Sequence, residues 1–318
     1  MGTERRAAID IGTVTARLLV ADVDGNHRVE QIARRTVITH LGEGLTKSGR
    51  LSEAGMRRVA DAVERFVTEA RELGTERVIA VATSASRDAG NSAEFLAMLE
   101  AAGARPEIIS GEREAYLTFL GATYDLRDEQ LLVADIGGGS TELVLGTMRV
   151  SGGERLVDLA LSRSIDVGSR RVTELHLRSD PPTAREIDAA AGWIADELRG
   201  YFRGMKDRPR EMVAVAGTAT SLAAIDLGLD PYDPERVHGH HLAGSSLLDI
   251  LENLAGMTLE QRRHVPGLEP ERASVIIGGT LILQAVMTHA GLPSTLVSEH
   301  DILYGMVLDL GMPAEAGR

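Results

Sequence analysis

The sequence predicts an α/β protein built from two related domains, and two observations carry this prediction. Apolar strand-like segments alternate with segments of helical periodicity along the chain, which is typical of α/β layers. In addition, a pattern of strand, Asp-Ile-Gly, small-residue turn and second strand begins at Asp10 and begins again at Asp135, 125 positions later. Because solenoid repeats are about 20–50 residues long, a repeat on this scale indicates a duplicated domain.

Composition narrows the function classes. The chain has 318 residues, which is room for two ordinary cores. Its net charge of −13 argues against non-specific binding to nucleic acid or to an anionic membrane. It has no cysteine, which excludes disulfides, thiolate metal ligands and cysteine nucleophiles. No run of about 18 apolar residues and no signal-type leader occurs, so we expect a cytoplasmic protein without a membrane partner.

The first domain is expected to cover residues 1–124. Residues 7–35 read as a meander of two or three strands, and helical spacing follows over 52–73 with Ser52 as the candidate N-cap. Asn91 opens a further helix in the style of a capping box. The remaining predicted elements are strands at 78–82 and 107–110 and a helix at 112–122.

The second domain is expected to cover residues 125–300, with a hinge near 124–130. Thr183 and Glu186 form a capping box ahead of a helix at 184–202. The C-terminal helix, from about 301 to 318, can pack back on the first domain. The other predicted elements are strands at 155–161, 212–216 and 294–298, and helices from Ser169 and at 219–227, 241–255, 271–290 and 301–310.

The first repeat carries groups that suit an anion. Gly12 permits a tight turn whose backbone N–H groups can surround an anion, and Thr13 and Thr15 add hydroxyl donors. Arg17 adds a forked donor that matches phosphate oxygens. A plain β-hairpin with a polar turn explains the same residues, since a glycine turn alone is a weak signal.

The second repeat is a stronger candidate. Gly137, Gly138 and Gly139 follow a buried strand, and three consecutive glycines are costly in backbone entropy unless the backbone must approach a ligand. Ser140 and Thr141 add hydroxyls. The carboxylates of Asp135 and Glu142 flank this turn, as oxygen ligands of Mg²⁺ often do. The alternative is a pair of solvated carboxylates at strand ends.

Two further segments could complete such a site. Arg87 lies in a Ser/Thr-rich loop after the strand 78–82, where ligands of open α/β sheets bind, although an Arg87–Asp88 surface loop is equally plausible. Glu114 lies at a strand-to-helix junction, where acidic residues also simply complement the helix dipole. Hydrolysis needs a base that orients water, and Glu114 could supply it.

Three other motifs are weaker candidates. The Gly217-Thr-Ala-Thr220 segment after a strand could bind phosphate or nucleotide, or simply begin a helix. The histidines 238, 240 and 241 could suggest a metal site, but neighbouring histidines before a helix are more often solvated or capping residues. Ser298, His300 and Asp301 resemble a catalytic triad only in sequence, and triads are defined by spatial geometry.

Taken together, these motifs resemble the exopolyphosphatase/guanosine-pentaphosphate phosphatase family. The matching segments occur in family order and span nearly the whole chain. They are AAIDIGTVTARLL (7–19), ATSASRDAGN (82–91), ISGEREAYLTFLG (109–121), VADIGGGSTELVLG (133–146), DVGSRRVTE (166–174), AVAGTATSLAAI (214–225), PGLEPERASVIIGG (266–279) and VSEHDILYG (297–305).

The resemblance implies a fold and a set of roles. The fold would be two actin-like, ribonuclease H-like domains of the actin, sugar-kinase and chaperone-ATPase superfamily, with the site in the cleft between them. Glu114 would be the general base, Asp135 and Glu142 catalytic carboxylates, and Asp10 a further metal ligand with them. Mg²⁺ would be the metal, and a homodimer is common among members. The implied phosphate-binding residues are Gly12, Thr13, Thr15, Arg17, Arg87, Gly137, Gly138, Gly139, Ser140 and Thr141.

The implied reaction is release of terminal orthophosphate from inorganic polyphosphate. Long members of the family carry extra helical domains that help to thread long polyphosphate, and no such segment follows here, so short chains are the expected substrate. Val14 replaces a polar residue of the family's first hairpin, which predicts one lost phosphate contact. Guanosine pentaphosphate is the alternative substrate, and a nucleotide-binding kinase or sensor of the same superfamily is the alternative of another class.

Overall fold

The computed structural model describes residues 2–75, 78–127, 129–151 and 154–309, which form two mixed sheets with helices packed on them. The strands are β1 Glu4–Ile11, β2 Thr15–Val23, β3 Val29–Ile38, β4 Val78–Ala82, β5 Glu107–Ile108, β6 Gln130–Ile136, β7 Thr141–Ser151, β8 Glu154–Ile165, β9 Glu211–Val215, β10 His241–Ala243 and β11 Ser294–Val297. The helices are α1 Leu45–Ser48, α2 Glu53–Glu72, α3 Ser84–Asp88, α4 Ser92–Ala101, α5 Gly111–Ala122, α6 Ser169–His176, α7 Ala184–Gly204, α8 Ala216–Asp226, α9 Pro234–Val237, α10 Gly244–Ala255, α11 Leu259–Arg262, α12 Ile276–Ala290 and α13 Ile302–Asp309.

The two sheets have matching topologies. The first has the order β3-β2-β1-β4-β5, and the second has the order β10-β11-β9-β6-β7-β8. In each, three strands form an antiparallel meander whose first strand also pairs in parallel with a later one: β1 with β4, and β6 with β9. The predicted α/β class is therefore confirmed. The sequence repeat between Asp10 and Asp135 corresponds to this match, since both residues lie near the end of the first meander strand.

Helices α5 and α13 lie between the two sheets and pack closely on each other. Gly121 of α5 and Gly305 of α13 make this possible, because a Cβ atom at either would lie 1.9 Å from a backbone oxygen of the other helical segment. Leu117 of α5 packs with the first sheet, whereas Phe119 packs with the second. Leu303 of α13 packs in the cluster that contains the first sheet's Leu19. The domain bounds 1–124 and 125–300 remain a prediction.

The helix starts largely follow the expected capping chemistry. The Ser52 hydroxyl accepts from the Gly55 N–H at 3.1 Å, and Thr183 with Glu186 forms the predicted capping box. The capping prediction for Asn91 is wrong, although α4 does begin at Ser92. The Asn91 amide is instead buried and bridges the backbone N–H and carbonyl of Leu51, at 2.8 and 3.1 Å. The Asn91 side chain, which the local pattern assigned to the helix cap, therefore binds a residue forty positions away in the sequence.

Several predicted bounds need correction. The helix expected at 241–255 begins only at Gly244, because His241–Ala243 pairs with β11 as a short edge strand. The helix expected at 271–290 begins at Ile276, after a 3-10 turn over Pro270–Arg272. The helix expected at 219–227 begins earlier, at Ala216. The last part of the predicted C-terminal helix, 310–318, lies outside the described residues. In the described ranges, no helix is both long and apolar enough to cross a membrane.

Candidate active site

A cavity of about 160 Å³ lies where the β1–β2 and β6–β7 hairpins approach each other. Most of the predicted site residues line it, so the fold brings together groups that are far apart in sequence. These lining residues are Asp10, Gly12, Thr13, Thr15, Arg17, Glu114, Asp135, Gly137, Gly138, Gly139, Ser140 and Glu142.

The two hairpin turns have the same hydrogen bonding. The Gly12 N–H donates to the Thr15 carbonyl at 2.9 Å, and the Gly137 N–H donates to the Ser140 carbonyl at 3.0 Å. Both turns therefore close in the same way, as the internal alignment of the sequence requires. The equivalence includes the carboxylate at the end of each first strand, Asp10 in one and Asp135 in the other.

The glycine run also has a packing role that the sequence did not reveal. A Cβ atom at Gly138 would lie 2.4 Å from Val14 Cγ2, and one at Gly139 would lie 2.6 Å from Ser84 Oγ. Val14 is only 7% exposed, so the first hairpin presents an apolar contact to the second. The glycines thus let the two hairpins touch, in addition to leaving room for a ligand. Whether Val14 costs a phosphate contact remains a prediction.

The first hairpin holds its carboxylate in a buried ion-pair network. Arg17 donates to Asp10 at 2.6 Å and also pairs with Asp301. Arg34, on β3, reaches the same Asp301 carboxylate at 3.0 Å. Burial alone raises the pKa of Asp301, but Arg17 and Arg34 outweigh it and lower the pKa overall. Arg17 lines the cavity as predicted, but its guanidinium is already shared between two carboxylates.

The second hairpin places two carboxylates side by side. Asp135 and Glu142 are opposite one another in the β6–β7 pairing. Glu142 accepts from the Ser164 hydroxyl at 2.6 Å, and within the described ranges neither carboxylate forms an ion pair with a basic side chain. Burial raises the pKa of Asp135 to about 7 and that of Glu142 well above its usual value, and the charge of Glu114 raises both further. A cation beside them would offset this unfavourable charge.

Glu114 lies in the first turn of α5, where the Ser110 hydroxyl caps the helix. Arg87 donates to the Glu114 carboxylate at 2.6 Å and to the Ile109 carbonyl at 2.9 Å. Burial raises the pKa of Glu114 to about 7, although Arg87 opposes this rise. Glu114 is therefore poised to accept a proton near neutral pH, as a general base should be.

Two predicted phosphate ligands are placed differently from the others. Arg87 lies behind Glu114 rather than on the cavity wall, so it orients the candidate base. Thr141 is fully buried, and its hydroxyl donates to the Val167 carbonyl at 2.5 Å. The Thr141 hydroxyl is thus engaged within the fold, and Thr141 does not line the cavity.

Helix α6 holds the second hairpin against the first half of the molecule. Arg171 donates to the Gly139 carbonyl at 2.9 Å and to Asp88 at 2.7 Å. Glu174 of the same helix accepts from the Gly44 N–H at 3.1 Å. Arg87 and Asp88 are neighbours in the short helix α3. Through Arg87 this helix holds the candidate base Glu114, and through the Asp88–Arg171 contact it holds the glycine turn.

Sequence reasoning missed several lining residues. Arg34 lies in a strand with no motif around it, and Arg272 lies in a matched segment to which no role was given. The Arg272 guanidinium covers Gly217, where a Cβ atom would lie 1.6 Å from its Nη1. Gly217, with Thr218 and Thr220, lines the same cavity. Asp301 was considered only as part of a triad.

The three histidines 238, 240 and 241, which are neighbours in sequence, face three different carboxylates. His240 pairs with Asp226 at 2.7 Å, and His241 lies 3.7 Å from Glu211. His238 instead approaches Asp125 at 3.4 Å, so the three neighbouring histidines do not form one site. The Ser298 hydroxyl donates to the backbone carbonyl of His300, which does not correspond to a triad.

The chain is similar to known proteins along nearly its whole length. The model of the Ppx/GppA phosphatase family matches residues 19–310. Exopolyphosphatase 2 of Mycobacterium tuberculosis is 37% identical, over 98% of this chain and 99% of its own. A crystal structure of an exopolyphosphatase-like protein superposes with a TM-score of 0.90 at 33% identity, covering 98% of both chains. The Aquifex aeolicus PPX-GPPA enzyme superposes with a TM-score of 0.79 at 30% identity, over 97% of this chain and all of the other.

The family match and the exopolyphosphatase relatives of similar length indicate a hydrolase that acts on phosphoanhydride bonds. Solved structures of the family, among them that of the Aquifex aeolicus member, share this fold; the assignment to the actin-like superfamily remains a prediction. The chain belongs to the Ppx/GppA phosphatase family.

Proposed function

We propose that the protein is an exopolyphosphatase, which removes terminal orthophosphate from inorganic polyphosphate, with a preference for short chains. The observation that carries the proposal is the convergence of Glu114 and the Asp135–Glu142 pair on one cavity between two phosphate-type turns. Relatives of similar length that bear the name exopolyphosphatase support it.

The terminal phosphoryl group is proposed to lie between the two hairpin turns. Hydroxyls of Thr13, Thr15 and Ser140 and the backbone N–H groups of the turns would neutralise its oxygens. Arg17 lines the cavity wall as a candidate donor to the phosphate, and its pairs with Asp10 and Asp301 fix its position. Such preorganised donors stabilise the charge of the transition state without having to reorganise during the reaction.

Glu114 is proposed to orient and deprotonate the attacking water. The water oxygen forms a bond to the terminal phosphorus, and the bond from that phosphorus to the bridging oxygen breaks in line with it. Orthophosphate and a polyphosphate shorter by one unit result, and the proton from water passes to Glu114. Arg87 holds the carboxylate in place from behind during this transfer.

The carboxylates of the second hairpin fit a divalent cation, and we propose that they hold Mg²⁺. Asp135 and Glu142 are adjacent, buried and without a basic partner among the described residues, so a cation would relieve their mutual repulsion. Asp10 is the weaker ligand, because Arg17 already neutralises it. When bound, Mg²⁺ would neutralise phosphate oxygens; it usually keeps several waters, so a complete cage of protein ligands is not required.

One experiment tests the substrate. Orthophosphate release by the purified protein with Mg²⁺ is measured on short polyphosphate, long polyphosphate and guanosine pentaphosphate at equal concentrations of chain ends. We expect the highest kcat/KM on short polyphosphate. Preference for guanosine pentaphosphate would select the alternative substrate. Transfer of the phosphoryl group to an added acceptor alcohol, without orthophosphate release, would indicate a kinase.

We also propose that the enzyme works as a homodimer in the cytoplasm. The family resemblance suggests the dimer. Light scattering of the purified protein at micromolar concentration measures the mass. A value near one chain mass of 34.0 kDa would contradict the dimer.

A further inference from the structure

A histidine–carboxylate cluster lies outside the cavity, where the chain passes between the two halves of the molecule. Asp125 follows α5 and precedes β6, and His300 lies between β11 and α13. His238 joins them from the end of α9. We propose that Asp125, His238 and His300 bind a divalent transition metal of the Zn²⁺ class, at a site separate from the Mg²⁺ site proposed above.

The spacing of the three ligand atoms fits a small metal ion. Oδ2 of Asp125 lies 3.4 Å from Nε2 of His238 and 2.8 Å from Nδ1 of His300. All three atoms lie within 4.8 Å of one another, and no other His, Cys, Asp and Glu residues in the described part of the chain gather so closely in a group of three. A tetrahedral Zn²⁺ with bonds of about 2.0–2.1 Å places its ligands roughly 3.3 Å apart. The cluster therefore needs only small shifts to bind the ion.

The ligand type separates this site from the cavity. Imidazole nitrogen suits Zn²⁺, Co²⁺ and Ni²⁺, whereas Mg²⁺ prefers oxygen ligands. Asp125 is exposed, so the fourth position of a tetrahedral ion would face solvent and take a water. Three protein ligands with one open position make a site that exchanges its ion more readily than a closed one.

The imidazole of His300 is held ready for coordination. Its ring stacks on Tyr304 with centroids 3.8 Å apart, and the His238 ring lies tilted beside it with centroids 4.4 Å apart. Nδ1 of His300 is buried, and among the described residues it has no hydrogen bond of good geometry, despite the 2.8 Å distance to Asp125. A buried nitrogen that faces a carboxylate without a proper hydrogen bond is a group that a metal would satisfy.

Binding has an identifiable cost at His238. Nδ1 of His238 accepts the Glu299 N–H at 3.2 Å, so the neutral ring carries its proton on Nε2. A metal at Nε2 moves that proton to Nδ1, and the contact with Glu299 must open. The Glu299 carbonyl accepts from Arg34, which lines the cavity. Metal binding is therefore weaker than at a dedicated structural zinc site, and it is coupled to the position of Arg34.

The test uses Co²⁺ and Zn²⁺ as probes on the full chain, stripped with a chelator and kept in excess Mg²⁺ to occupy the carboxylate site. Co²⁺ binding is followed by visible absorption and Zn²⁺ binding by calorimetry. We expect one equivalent per chain with a tetrahedral Co²⁺ spectrum, and binding at least about tenfold weaker in His300→Ala and in His238→Ala. His264→Ala is the matched control, since the His264 side chain is 76% exposed beside Glu260, and it should bind as wild type does.

Each outcome decides the proposal. His300→Gln keeps a polar group of similar size, and it should melt near wild type while losing the metal, which separates lost binding from lost folding. Wild type without stoichiometric Co²⁺ or Zn²⁺ binding, or unchanged binding in both histidine variants, would show that the cluster only links these three chain segments through ion pairs. Neither readout involves phosphate release, so the result is independent of the proposed function.

Discussion

The contact between the two hairpins predicts that Gly138→Ala is costly. The added Cβ atom would lie 2.4 Å from Val14 Cγ2 and 3.1 Å from Thr13 Cβ, both well inside normal contact distance. The φ angle of Gly138 is outside the left-handed range, so the effect is steric rather than a backbone preference. Overpacking of this kind costs about 1–3 kcal/mol. The hairpins must separate to relieve it, and the cavity between them would widen.

Urea unfolding followed by circular dichroism measures the stability, and phosphate release measures KM in the same preparations. We expect Gly138→Ala to lower the free energy of unfolding by about 1–3 kcal/mol and to raise KM. Gly192→Ala is the matched control, because a Cβ at this position in the interior of α7 would meet no atom within 4 Å beyond its chain neighbours and the backbone of its own helix. It should stabilise the protein by up to about 1 kcal/mol, as alanine does in a helix interior.

A second variant tests the cause. Val14→Ala removes the Cγ2 atom, so the double variant Val14→Ala/Gly138→Ala should be less destabilised than the sum of the two single variants. Additive losses would refute the reasoning, because the clash would then not involve Val14. Wild-type stability and KM in Gly138→Ala would refute it more simply.

The remaining predictions concern the charged groups of the site. Arg87→Ala should move the acid limb of the kcat/KM profile to higher pH, because Arg87 opposes the rise in the pKa of Glu114. Arg87→Lys should move it less. An unshifted profile would contradict the role of Arg87 in setting this pKa. Arg171→Ala should raise KM for polyphosphate more than it lowers kcat, since the Gly139 carbonyl loses its hydrogen bond from Arg171. An unchanged KM in steady-state kinetics would contradict this expectation. The raised pKa values of Glu114 and Asp135, about 7 against roughly 4 in the unfolded chain, mean that the folded state binds their protons more tightly. Without metal, stability should therefore fall as pH rises from about 4 to 7, and Mg²⁺ at pH 8 should raise the melting temperature; a flat pH profile in a metal chelator is the contrary result. Chelation should also abolish phosphate release, and added Mg²⁺ should restore it.

Much of the fold could be predicted from the sequence because its signals are local or repeated. Strand and helix periodicity and the Ser52 cap can be read within a short window, as can each copy of the Asp-Ile-Gly pattern. The comparisons confirm the family resemblance. The prediction for Asn91 was wrong because its partner, Leu51, lies forty positions earlier. The edge strand His241–Ala243 is too short for periodicity to distinguish it from the helix that follows.

The candidate site was predicted where motifs carry it and missed where only folding assembles it. Glu114 and the two hairpins follow from sequence patterns, and their catalytic roles remain predictions. Arg34 reaches the site from a strand without a motif, and it could not be found before the β2–β3 pairing was known. The placement of Arg87 behind Glu114 likewise depends on how α3 packs against α5, which no local pattern specifies.

In the proposed mechanism, water oriented by Glu114 attacks the terminal phosphorus. Hydrolysis of short polyphosphate in ¹⁸O-enriched water, with Mg²⁺ and analysis of the products by mass spectrometry, tests it most directly. We expect one solvent oxygen in each released orthophosphate and none in the shortened chain, at a rate that falls by about 10²–10⁴ in Glu114→Gln while substrate still binds. Label in the shortened chain, or an undiminished rate in Glu114→Gln, would contradict it.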